Sequence, residues 1–71
     1  MTTGQTITDI EEIQAPWNKL ISVQNVAYEG GLSMLRLRIK EGKRFTDLEL
    51  DPATASHVTD LIQKWMADQP A

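Results

Sequence analysis

A chain of 71 residues with no cysteine and one histidine is expected to form a single domain without disulfides, and His57 alone falls short of the three or four ligands a zinc ion requires. With 41% hydrophobic residues, 24% charged residues and a net charge of -3, the composition is that of an ordinary folded domain rather than a disordered segment. No apolar run nears the roughly 18 residues of a membrane span, and the start MTTGQTITDIEE lacks the basic and apolar stretches of a signal peptide, so a cytoplasmic protein is expected.

The elements follow in chain order. Residues 1–5 are expected to be mobile. In residues 6–17, Thr8 and Glu11 fit a capping box, and Ile7, Ile10 and Ile13 recur at every third position. This predicts an irregular segment or a short helical turn that stops before Pro16. A fourth strand on a sheet edge is the competing reading, because the segment is rich in isoleucine and threonine.

A strand over 18–29 carries Ile21 and Val23 on one parity and Val26 and Tyr28 on the other. A β-bulge at Gln24 and Asn25 would bring all four to one face. Gly30 and Gly31 would then turn the chain, pairing Tyr28 with Ser33 and Val26 with Leu35. The strand over 32–40 alternates strictly, with Leu35, Leu37 and Ile39 on one side and Met34, Arg36, Arg38 and Lys40 on the other. A second turn at Glu41 and Gly42 leads into a strand over 43–50 and sets Leu35 against Leu48 and Arg36 against Asp47. A slip by one residue would turn Asp47 and Glu49 inward, so the register of this strand is well determined.

Asp51 followed by Pro52 is a helix start, with a carboxylate to cap free N–H groups and a proline where no hydrogen bond is lost. In the helix over 52–67, Ala55, Val58, Leu61, Ile62, Trp65 and Met66 form one apolar stripe, and Asp60 and Lys64 pair on the wet side. The expected fold is α+β: a three-stranded antiparallel meander with one C-terminal helix packed on its inner face. Its core would be Ile21, Val23, Val26, Tyr28, Leu35, Leu37, Ile39, Leu48, Leu50, Val58, Leu61, Ile62 and Trp65. For so small a core, burial at about 25 cal/mol per Å² barely offsets chain entropy, so self-association would add needed buried area.

Catalysis needs convergent, activated groups, and the sequence offers none. His57, beside Ser56, falls on the helix face away from the stripe. Glu11 with Glu12, and Asp47 with Glu49 and Asp51, are carboxylate sets, but Asp47 and Glu49 share a strand face opposite Arg36 and Met34, which reads as cross-strand pairing. Gly30, Gly31 and Gly42 belong to hairpin turns and form no phosphate-binding loop. No enzyme activity, cofactor or metal is expected.

Arg36, Arg38, Lys40, Lys43 and Arg44 against Glu41 give residues 36–44 a net charge of +4 and leave -7 for the remainder. With Phe45 beside Arg38, the ribbon has the cation and ring content of a nucleic-acid surface. The order strand, strand, strand, helix also resembles the small DNA-binding modules of phage-type integrases and plant GCC-box factors, which implies an exposed sheet face entering the major groove. The local alternative is that Arg36 pairs with Asp47, Arg38 covers Phe45 and the lysines at the turn keep the ribbon from aggregating, and the acidic remainder would repel a duplex. The expected function is therefore a small non-enzymatic interaction or accessory module, bacterial in style. Ile10, Ile13, Trp17, Met34 and Phe45 would meet an unknown protein partner or a second copy in a homodimer, with nucleic acid bound by the basic hairpin as the alternative.

Overall fold

The computed structural model describes residues 4–70. It contains four strands, β1 (Gln5–Ala15), β2 (Lys19–Tyr28), β3 (Ser33–Glu41) and β4 (Arg44–Leu50), followed by one helix, α1 (Pro52–Ala67). The strands form one antiparallel meander in the order β1-β2-β3-β4. The fold is α+β, with four strands where three were expected. The expected mobility of residues 1–5 falls partly outside the described range, and within it Gln5 already begins β1.

The N-terminal segment takes the competing reading, a fourth strand on a sheet edge, and not the helical turn. Residues 5–15 form no helical turn but pair along β2 from Gln5 opposite Tyr28 to Ala15 opposite Lys19. β1 carries a bulge: the register shifts between Asp9 and Glu11, with Ile10 as the extra residue. Ile7 therefore lies opposite Val26, whereas Ile13 lies opposite Ile21 on the other face.

No bulge interrupts β2. Its pairing with β3 runs without a shift from Leu20 opposite Lys40 to Ala27 opposite Ser33. Ile21 meets Ile39 and Val23 meets Leu37 as expected, but Val26 meets Met34 rather than Leu35. The turn is longer than two residues, closed by Tyr28 N–H donating to the Leu32 carbonyl at 2.7 Å, with Gly30 and Gly31 at φ 97° and 93°. Val26 and Tyr28 consequently face away from Ile21 and Val23.

The β3–β4 hairpin turns at Gly42 and Lys43, one residue later than expected, and Gly42 supplies the positive φ of 60° at the first central position. Leu35 thus opposes Leu50, Leu37 opposes Leu48, and Arg38 rather than Arg36 opposes Asp47. The shift is two residues between partners, so every side chain keeps its expected face.

Two faces result. One, the apolar face, carries Ile13, Ile21, Val23, Leu35, Leu37, Ile39, Leu48 and Leu50. The other carries Asp9, Gln24, Arg36, Arg38, Asp47 and Glu49, with Val26 flanked in register by Ile7 and Met34. Val26 is fully buried and Leu50 is 9% exposed, and among the described residues these are the only buried hydrophobics.

Helix α1 begins as expected: Asp51 Oδ1 accepts from Thr54 N–H at 2.8 Å, with Pro52 in the first turn. It does not lie on the sheet. None of its residues is buried, and it comes near only β3 and β4. Asp51 is extended, at φ -78° and ψ 167°, and is the one residue between β4 and α1, so no loop folds the helix back. The molecule measures 51 × 31 × 16 Å.

The β1–β2 turn holds Trp17 and Asn18 at φ 65° and 57°. Asparagine tolerates this region, whereas a bulky side chain is strained there by about 1–2 kcal/mol. Trp17 is 87% exposed, so its ring gains little in return. Trp17→Gly should raise the free energy of unfolding of the isolated chain by about 0.5–1 kcal/mol in urea titration. A loss of stability would show that the indole makes a contact that relieves its strain.

Candidate functional site

The five residues expected to form one contact surface are dispersed. Ile10 is the bulge residue, Ile13 points from β1 to the apolar face, and Trp17 caps the β1–β2 turn. Met34 and Phe45 lie on the opposite face, and Phe45 is on β4, the edge strand farthest from β1. Three interstrand spacings of about 4.8 Å separate those edges.

The basic ribbon is largely neutralised by its neighbours. Arg36, only 9% exposed, donates to Glu49 Oε2 from Nε at 3.1 Å and from Nη2 at 2.9 Å, and the Tyr28 hydroxyl donates to Glu49 Oε1 at 2.5 Å. Arg38 forms a bidentate pair with Asp47 at 2.8 and 2.9 Å. Its guanidinium also lies 5.4 Å from the Phe45 ring centroid, and the Lys40 ammonium lies 5.9 Å from it. Lys40, Lys43 and Arg44 have no ion pair among the described residues. The polar face continues with Gln24 donating to Asp9 at 2.8 Å, while Gln24 Oε1 is buried without a protein partner.

These bonds shift the titrations. The Tyr28 hydroxyl and then Arg36 hold the Glu49 carboxyl below its ordinary value, and Arg38 holds Asp47 below its own. Tyr28 is raised, first by its bond to Glu49 and then by loss of water contact. A lowered carboxyl stabilises the fold above the unfolded value of about 4 and loses that contribution as pH falls through the folded value. The raised tyrosine contributes below about pH 10 and loses its contribution as pH rises through its folded value. Stability should therefore decline on both sides of this window. Glu49→Gln should lower the thermal midpoint at neutral pH and flatten the acid limb, and an unchanged acid limb would show that the carboxyl is not held by these partners.

With Arg36 and Arg38 paired on the polar face, the largest exposed side chains that remain without partners are apolar. The sheet's apolar face has charge only at its rim, where Lys19 and Glu41 pair at 3.0 Å, Arg44 lies opposite Glu41, and the β1 edge contributes Glu11. Leu48 on the edge strand is half-exposed, and Ile21, Val23, Leu35, Leu37 and Ile39 are partly exposed. The second surface is the α1 stripe, where Leu61 is 54% and Trp65 63% exposed, alongside Val58, Ile62 and Met66. Both were read from the sequence as core, so their exposure is what only the structure reveals.

Among the described residues, no group of three or more His, Cys, Asp or Glu side chains converges to hold a metal, and no helix is long and apolar enough to cross a membrane. His57 is exposed near the start of α1. The chain belongs to the family described as "Family of unknown function (DUF6967)", which it matches over residues 4–68. No curated protein and no solved structure matches it.

Proposed function

We propose that this chain is a small non-enzymatic protein-interaction module of the cytoplasm, and that its contact surface is the apolar sheet face together with the α1 stripe. The observation that carries this reading is the exposure of Leu61, Ile62, Trp65 and Met66 on one helix stripe beside an uncovered sheet face. Clusters of exposed large apolar side chains mark interaction sites in folded proteins. Trp65 is the aromatic anchor of the kind that dominates contact energies.

Nucleic-acid binding by the basic hairpin is the second reading, favoured by Lys40, Lys43 and Arg44, which lack ion pairs and flank Phe45. Two of its five cations, Arg36 and Arg38, are already engaged by carboxylates, so few remain to neutralise phosphates.

The test places a photo-crosslinking residue at Leu61 or at Lys43 of the full chain in its native cells. A discrete protein adduct from position 61 that disappears with Trp65→Glu, and none from position 43, supports the interaction reading. Adducts from neither position, or nucleic-acid adducts from position 43 with salt-sensitive binding of mixed-sequence DNA, overturn it.

A further inference from the structure

We infer that the partner is a second copy of this chain, with α1 of each copy lying across the apolar sheet face of the other in a two-fold dimer. The inference rests on the reading that these two surfaces form a protein contact, and it names the partner.

The first argument is complementarity. One chain offers a sheet face that lacks a helix and a helix that lacks a sheet. The face has the apolar side chains of Ile21, Val23, Leu35, Leu37, Ile39 and Leu48 and no charge at its centre. The stripe from Val58 to Met66 is likewise uncharged, with Asp60 and Lys64 on the far side of the helix. A 16-residue helix is about 24 Å long and fits within the roughly 30–33 Å span of strands of nine or ten residues at about 3.3 Å each.

The second argument is area. A compact monomer of 8.0 kDa exposes about 4400 Å², but this chain exposes 5894 Å², an excess of roughly 1000 Å² or more. The radius of gyration is 14.4 Å, against about 11 Å for a compact chain of this length. Covering that excess on two copies buries roughly 2000 Å² or more, which is the size of an obligate homodimer interface.

Closure selects the symmetry. Because both surfaces belong to one chain, reciprocal exchange satisfies all of them at two copies, whereas head-to-tail addition leaves a bare face at each end. The extended single-residue link at Asp51 holds α1 away from its own sheet and leaves it presented to another. Pairing through sheet edges is opposed on β1 by Asp9, Glu11 and Glu12 and by the bulge at Ile10.

The experiment uses the purified full chain. Sedimentation at about 1 µM and about 100 µM should show a dimer, and Leu61→Glu should weaken association roughly 100-fold or more while the far-UV spectrum of the sheet persists. The absence of cysteine allows a second, independent measurement. Mixing one chain carrying Leu48→Cys with another carrying Thr59→Cys or Gln63→Cys, in the presence of a short bismaleimide, should give a covalent heterodimer. A monomer at both concentrations overturns the inference, as does a dimer unaffected by Leu61→Glu or one that gives no cross-link from either helix position. A monomeric purified chain whose position 61 still cross-links to a different protein in cells overturns the second copy but leaves the interaction module standing.

Discussion

Val26→Asp is expected to abolish the folded state. Val26 is the one fully buried side chain among the described residues, and its register neighbours are Ile7 on β1 and Met34 on β3. An unpaired carboxylate there has no cation in register with it, since Arg36 is engaged by Glu49 two positions along β3. Burying such a group costs several kcal/mol, comparable to the whole stability of a small domain of about 5 kcal/mol. Val26→Ala removes two methyl groups and should cost about 2 kcal/mol, measured by urea titration. Little change in either variant would mean that β1 is not held over Val26 and that the four-stranded pairing is wrong.

Leu61→Ala should have an effect that depends on protein concentration. In a lone chain Leu61 is 54% exposed, and trimming it should change stability by less than about 0.5 kcal/mol. At the centre of a covered stripe the same truncation should cost about 2–5 kcal/mol. Thermal unfolding of wild type and variant at low and high concentration reads the difference directly. A gap that widens as concentration rises supports assembly through the stripe, and a large gap independent of concentration would show that α1 folds onto its own sheet.

The legible parts of the sequence were those governed by local chemistry. Strict alternation from Leu35 to Ile39 identified β3 and its two faces, the Asp51-Pro52 pair located the helix start, and the spacing of Val58, Leu61, Ile62 and Trp65 defined the stripe. The facing of Asp47 and Glu49 was legible for the same reason, since only parity decides it. Parity cannot distinguish registers two residues apart, so whether Asp47 meets Arg36 or Arg38 was left to the turn. The choice of Gly42 and Lys43 as the central pair made it Arg38.

The candidate surface was legible in composition and hidden in arrangement. Ile7, Ile10 and Ile13 looked like a helical turn because they recur at every third position, and only pairing with β2 shows that they lie on a strand. Because β2 carries no bulge, Val26 and Ile21, an odd number of residues apart, face opposite sides.

By itself the sequence determined an antiparallel meander, the polar and apolar faces of β3 and β4, and an amphipathic C-terminal helix, because period, proline and capping residues act within a few positions of one another. Only the tertiary structure decided that the first segment is a strand, which carboxylate each arginine meets, and that the stripe is uncovered in the single chain. Those outcomes depend on pairings between residues distant in sequence and on the backbone direction at Asp51. A hydrophobic pattern says that a surface must be covered, but not which surface, in the same chain or another, will cover it.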